Sequence, residues 1–106
     1  MQSDPKESAV LIARSLLGGR LGVLNAAWAH CPLVHSDPTI ASKEERNLLI
    51  AMESETDDLP VGRIRQEWHP DFLPEKDREI ARCEELWRAP LCAACERILL
   101  RAQETQ

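Results

Sequence analysis

The feature that most constrains the fold is an apolar stripe in the C-terminal third of the chain. Apolar residues recur there at steps of three or four, between Pro74 and about Ala102: Ile80, Cys83, Trp87, Leu91, Ala94, Ile98 and Ala102. That spacing places them on one side of an α-helix. At ~1.5 Å per residue the helix is roughly 40 Å long, enough for every other element to pack along it. The stripe therefore predicts a bundle built around one long C-terminal helix.

Two shorter helices are predicted at the start of the chain. The first begins at Asp4 and Pro5, a capping residue followed by a proline suited to the first helical position, and it ends by Gly18. The second begins at about Leu21 and is closed by Pro32, because proline disfavours helix for the residue before it. Residues 32–40 are then predicted to be a connector with one turn of helix.

A third short helix is predicted from the capping box at residues 42–45, SKEE. It includes the run 48–52, LLIAM, whose apolar residues predict a helix that is buried on most sides, with a strand as the alternative. The predicted fold class is all-α: an irregular bundle of four or five helices around the long C-terminal helix. A length of 106 residues fits one domain, residues 1–106.

Composition and charge narrow the classes of function. Apolar residues are 43% and charged residues 29% of the chain, a globular rather than a disordered balance. The formal net charge is −5, and the thirteen basic residues are interleaved with eighteen acidic ones. A phosphate-binding face needs a surplus of Lys and Arg, so nucleic acid is not expected as a partner.

The chain has no segment that predicts export or membrane insertion. Residues 1–7, MQSDPKE, lack the basic and then apolar order of a secretory signal, and no apolar run approaches the ~20 residues of a membrane span. We therefore expect a cytoplasmic protein with no membrane partner. Its four cysteines are then expected to be reduced thiols rather than disulfides.

Polar side chains are concentrated in residues 54–68, SETDDLPVGRIRQEW. Acidic and hydroxyl side chains lead into a turn at Leu59 and Pro60, and two arginines and a tryptophan follow. Pro60 disfavours regular helix before it, so the acidic part is predicted to be a loop. A short helix after it carries Ile64 and Trp68 on one face.

Together with the later segments DREIARCEELW and AACERIL, this run resembles a group of small bacterial proteins with a domain of unknown function. They share the pattern S-E-T-D-x-L-P-x-G-x-x-R-x-x-W. The resemblance covers the chain from Glu53 onward, with Arg65 at the arginine position and Trp68 at the tryptophan position. It implies a shared fold or site and brings no activity, ligand or partner with it.

The candidate ligand- or partner-binding residues belong to this segment and to the long helix. They are Glu55, Asp57, Arg63, Arg65, Trp68 and Glu84. The arginines suit an anionic ligand or a partner's carboxylate, with Trp68 as an aromatic anchor. In the alternative, Arg65 pairs with Glu84 and braces the fold, because Glu84 lies near the apolar stripe and a desolvated carboxylate needs a cationic partner. Bracing is the favoured interpretation.

Two parts of the sequence contain residue types that can bind a metal ion. The acidic run Glu53–Asp58 offers the oxygen ligands of a divalent cation, but it has no Asp-x-Asp-x-Asp-Gly order, and a solvated loop is favoured. Cys92 and Cys95 have the Cys-x-x-Cys spacing of redox and zinc motifs, and could join Cys31 and a histidine. The charged, helical residues before them do not resemble the strand of a thioredoxin site.

A third cysteine of the long helix does not complete that zinc site. Cys83 is nine residues from Cys92 and so points to the opposite side of a continuous helix. Free cysteines are among the most buried residue types, and buried apolar side chains are the favoured interpretation. No cofactor and no metal is predicted.

These observations predict a small non-catalytic interaction or regulatory protein. The stripe is longer than three short helices easily cover, so a protein partner or a second copy is expected along it. The alternative is a small helical enzyme or ligand-binding protein that uses Glu53–Asp58 with a metal, or Arg65 with an anionic ligand. The sequence has no Gly-rich phosphate loop, G-x-S-x-G or H-E-x-x-H motif.

Overall fold

The computed structural model describes residues 4–60 and 62–104, and the side chains of residues 62–64 lie outside the description. Within these ranges the chain forms four α-helices: α1 (Pro5–Leu17), α2 (Val23–Ser36), α3 (Lys43–Thr56) and α4 (Leu73–Glu104). Short 3-10 segments lie between the last three helices, at Pro38–Ile40, Gly62–Glu67 and Pro70–Phe72. The described ranges contain no strand, and the predicted all-α class is confirmed.

Local sequence signals account for the bounds of α1. The Asp4 side chain accepts a hydrogen bond of 3.0 Å from the backbone N–H of Lys6, and Pro5 occupies the first helical position. The helix ends before Gly18, and Gly19 has a φ of 75°, a left-handed conformation that suits glycine. Both predicted ends are confirmed.

The prediction that Pro32 closes the second helix is wrong. Pro32 lies inside α2, which continues to Ser36. A proline removes one backbone hydrogen bond from a helix but does not prevent the following turn from forming. The turn after Pro32 contributes Val34 to the core, and the backbone N–H of Asp37 bonds to the carbonyl of Leu33 at 2.9 Å. Core packing therefore offsets the lost hydrogen bond.

The predicted start of α3 is confirmed. The predictions of how deeply the helix is buried and of where it ends are wrong. The Ser42 hydroxyl accepts from the backbone N–H of Glu45 and the Glu45 carboxylate accepts from that of Ser42, both at 3.1 Å. However, Ile50 is 50% exposed, so the helix is not buried on most sides, since its packing is chiefly against α2. It also extends to Thr56, which places residues 54–56 in a helix rather than a loop.

The long helix α4 packs chiefly against α1, and α2 packs against α1, α3 and α4. Leu91 and Ile98 of the stripe are buried, and Ile80 and Trp87 pack partly buried against the same core. The chain itself therefore covers most of the stripe, and the expected contact with a protein partner or a second copy stays a prediction. None of the helices in the described ranges is both long and apolar enough to cross a lipid bilayer.

Candidate functional site

The first part of the segment 54–68 is built into the core. Thr56 is fully buried, and its hydroxyl donates to the Met52 carbonyl at 2.6 Å and accepts from Nε1 of Trp28 at 2.9 Å. Leu59 and Pro60, which follow in the chain, are also buried. These contacts join α3 to α2, so this part of the segment has a structural role.

Arg65 pairs with Asp77 rather than with Glu84, and the predicted Arg65–Glu84 brace is wrong. The Nη1 and Nη2 atoms of Arg65 donate to the two carboxylate oxygens of Asp77 at 2.5 and 2.8 Å. The hydrogen bond lowers the pKa of Asp77 and raises that of Arg65. Both side chains are close to half exposed, at 41% and 48%, so water screens the pair.

Glu84 instead caps the start of α2. Its Oε2 accepts a hydrogen bond of 3.4 Å from the backbone N–H of Leu24. The N-cap residue of that helix is Gly22, which has no side chain to accept this bond. A carboxylate at a helix N-terminus is stabilised by the unpaired N–H groups and by the helix dipole. Glu84 therefore braces the fold, with a partner different from the predicted one.

The other predicted binding residues do not converge on one site. Trp68 is partly buried, and the Lys76 ammonium lies 5.5 Å from its ring centroid, a cation–π contact. Glu55 and Asp57 are exposed on and just after the end of α3. The predicted site residue Arg63, like Ile64, lies outside the residues whose side chains are described.

The four cysteines are free thiols, and two of them are buried. Cys95 Sγ lies 3.8 Å from Nε2 of His30, and Cys31 Sγ donates to the Leu49 carbonyl at 3.7 Å. Burial raises the pKa of both thiols to about 12. Because the thiolate is the nucleophile and the metal ligand, neither thiol is activated for such chemistry.

The residues of the alternative zinc site come together only in part. Cys95 contacts His30, but within the described ranges no three His, Cys, Asp or Glu side chains are grouped as a metal ion requires. That statement covers the acidic run Glu53–Asp58 as well. His30 is fully buried, and desolvation lowers its pKa to about 4, so its imidazole is neutral at neutral pH.

The sequence did not reveal that Glu45 is the centre of a polar network. It is 2% exposed and accepts from Nε of Arg97 at 3.0 Å and from both Nη atoms of Arg101 at 3.1 Å. Burial alone would raise the pKa of Glu45, but the hydrogen bonds from Arg101, Ser42 and Arg97 hold it at about 2. The capping box showed only the contact with Ser42, because the arginines belong to α4.

The sequence also did not reveal a cleft of about 350 Å³ beside α2 and α3. It is lined by apolar, cationic and amide side chains: Cys31, Val34, His35, Pro38, Lys43, Arg46, Asn47, Leu49 and Ile50. Lys43 and Arg46 are basic residues, His35 is a histidine, and none of the lining residues is acidic. The chain as a whole carries a net charge of −5, so the cleft has a local charge opposite to that of the protein.

Arg46 is the most informative residue of the cleft. Its Nε atom is buried and has no hydrogen-bond partner within the described ranges. A buried donor without a partner costs ~1–3 kcal/mol, so native structures pair nearly all such donors. The nearby Lys43 and His35 are exposed. Arg46 therefore brings to the wall of the cleft a guanidinium with one unpaired donor.

A single local signal pointed toward this cleft. His35, Lys43, Arg46 and Asn47 follow one another over a short stretch of sequence. Their convergence depends on which faces α2 and α3 turn toward each other, which periodicity does not specify.

Comparison of the chain with protein-family models, with curated proteins and with solved structures gives no match. The resemblance of the chain from Glu53 onward to a group of small bacterial proteins therefore stays a prediction.

Proposed function

We propose that the protein is a small non-catalytic binding protein whose ligand site is the cleft beside α2 and α3. The observation that carries this proposal is Arg46, whose buried Nε has no hydrogen-bond partner in the described ranges. An anionic group bound in the cleft pairs with the Arg46 guanidinium through a charge-assisted hydrogen bond. The interaction or regulatory role expected from the sequence is retained, and the ligand site moves from residues 54–68 to this cleft.

Charge and chemistry support binding rather than catalysis. Arg46, Lys43 and His35 line the cleft and no acidic residue does, an arrangement that attracts anions; Glu53 interacts with the Cys31 thiol at the wall. General acid–base catalysis commonly uses a carboxylate beside the reacting group, and none lines the cleft. Cys31 is the thiol at its wall, and burial raises the pKa of that thiol to about 12. The cleft therefore offers recognition without an activated nucleophile.

The test is an NMR titration of the isotope-labelled protein with acetate and, separately, with inorganic phosphate. We expect saturable shifts confined to the backbone amides of residues 31–50 and to the Nε–H of Arg46. The same titration on Arg46→Gln is expected to give weak, non-saturating shifts, because the buried donor is lost. Arg78→Gln is the matched control, since Arg78 is exposed on α4 and outside the cleft.

Two outcomes contradict the proposal. In one, neither anion gives localised shifts in the wild-type protein. In the other, Arg46→Gln responds as the wild type and Arg78→Gln do, which means that any anion binding takes place elsewhere.

A further inference from the structure

We infer that the ligand of this cleft is a small monocarboxylate with an apolar body, an inference that rests on the proposed function. Arg46 supplies the recognition of the anionic group. A guanidinium presents its donors in a plane that matches the two oxygens of a carboxylate, and the buried Nε is one of those donors. Asn47, which also lines the cleft, adds an amide that can donate to the same group.

The charge of the cleft fits one negative charge better than two. Arg46 is the cation with a buried donor, whereas Lys43 and His35 are exposed to water. Water screens exposed charges and leaves a partly buried one much less screened. A single partly buried guanidinium therefore balances a single carboxylate, and a phosphate dianion is left with part of its charge uncompensated.

The rest of the lining indicates an apolar ligand body. Val34 and Leu49 are buried residues of the core, and both line the cleft. Ile50 also lines it and is 50% exposed, although a side chain of its size usually gains from burial. An aliphatic or aromatic group in the cleft covers Ile50. The ligand's apolar part is thereby bound by the hydrophobic effect and its anionic part by Arg46.

The size of the cleft limits the ligand to a small molecule. At ~30 Å³ for each water-sized group, a cleft of about 350 Å³ holds about a dozen non-hydrogen atoms. Acetate fills only a small part of that volume, and a nucleotide exceeds it. The volume lies near the lower end of the ~300–1,000 Å³ typical of small-molecule sites. Medium-chain fatty acids and arylalkanoic acids have the matching size and charge.

Isothermal titration calorimetry with four probes tests this class: octanoate, octanol, acetate and inorganic phosphate. Each buried methylene raises affinity by about fourfold. We therefore expect octanoate to bind about a hundredfold or more tighter than acetate. Removing the charge-assisted bond lowers the binding affinity about tenfold or more. We expect that loss when octanol replaces octanoate, and when octanoate binds to the Arg46→Gln variant. Arg78→Gln is expected to bind octanoate as the wild type does.

A second variant keeps the test valid if Arg46→Gln does not fold. Ile50→Glu places a carboxylate at a half-exposed position of the cleft, where its charge opposes an anionic ligand. We expect it to fold as the wild type does in circular dichroism and to lose octanoate binding. Retained octanoate binding by Ile50→Glu contradicts a site in this cleft.

The outcomes separate this inference from the proposed function. If acetate and phosphate bind as tightly as octanoate, the anion site stands and the apolar class is wrong. If a short peptide of alternating Glu and Leu binds and octanoate does not, the occupant is a protein segment and the small-molecule class is wrong. If octanol binds as tightly as octanoate and Arg46→Gln changes neither, both the inference and the proposed function fail.

Discussion

Glu45 and Arg101, which are 56 residues apart in the chain, form two parallel hydrogen bonds of 3.1 Å between a carboxylate and a guanidinium. Arg101 also donates to the Ile40 carbonyl at 2.7 Å. One guanidinium thus connects the end of α4 to the start of α3 and to the turn before it. Because Glu45 is 2% exposed, the stability of this corner depends on the pairing of a buried charge.

We expect Glu45→Gln to lower the free energy of unfolding by about 2–3 kcal/mol, somewhat below the ~3–5 kcal/mol of a fully buried pair because the arginines are partly exposed. The measurement is urea unfolding followed by circular dichroism, with the exposed neighbour Glu44→Gln as control. The double mutant with Arg101→Gln should lose less than the sum of the single losses. Simple additivity of the two losses would show that the contact contributes nothing to stability.

Stability is expected to fall in acid in two steps. The folded pKa of His30 is about 4 against an ordinary 6.5, so the unfolded chain binds the extra proton first and stability decreases as the pH falls from 6.5 to 4. The full shift of the His30 pKa corresponds to a loss of ~3 kcal/mol in the free energy of unfolding. The folded pKa of Glu45 is about 2 against 4.5, so its contribution is present above pH 4.5 and is lost as the pH falls toward 2.

Unfolding by urea at a series of pH values measures both steps. His30→Gln should remove the step between pH 6.5 and 4 and retain the lower one. His35→Gln is the control, because His35 is exposed. A free energy of unfolding that stays constant down to pH 4.5 in the wild type contradicts the role given to His30.

Thr56→Val tests whether the segment 54–68 braces the core. Valine has a similar shape but no hydroxyl, so the Nε1 of Trp28 loses its acceptor and the expected loss of stability is ~1–3 kcal/mol. Ser54→Ala, at an exposed position in the same helix, is expected to change stability little. Thermal unfolding of both variants gives the comparison, and equal effects from the two changes would refute the brace.

The Arg65–Asp77 pair is expected to behave as a surface ion pair. Arg65→Ala should change stability only slightly, and its coupling to Asp77→Ala should decrease as salt is added. No coupling is expected between Arg65→Ala and Glu84→Ala, since the two side chains have different partners. Double-mutant cycles at low and high salt measure the effect of Arg65→Ala, its coupling to Asp77→Ala and its coupling to Glu84→Ala. Strong coupling of Arg65 to Glu84 would instead support the Arg65–Glu84 pair that was expected from the sequence.

The helices were predictable because their signals are local. The cap at Asp4, the capping box at Ser42 and the periodic stripe of α4 each involve residues within one or two turns of each other. The prediction that Pro32 ends α2 failed because it considered only the local effect of a proline on a helix. The burial of Val34, which offsets that effect, is a tertiary contact. Local rules therefore fixed where helices begin more reliably than where they end.

Partners between helices were not predictable in the same way. Asp77 and Glu84 are seven residues apart on α4, close to two full turns, so both lie on nearly the same face of the helix. Periodicity allows either carboxylate to face Arg65. It does not specify the position along the α4 axis at which Arg65 contacts the helix, and that position decides which carboxylate is the partner. The cleft around Arg46 was missed for a similar reason, because it depends on how α2 and α3 face each other.

The cap that Glu84 supplies to α2 links two positions that are 60 residues apart. A Cβ atom on residue 22 would lie 3.0 Å from Oε2 of Glu84, so the absence of a side chain at Gly22 makes room for the carboxylate. A serine or aspartate at residue 22 would cap the helix itself and release residue 84 from that task. In an evolving lineage the two positions are thus expected to change together, and their covariation would record the packing of α2 on α4.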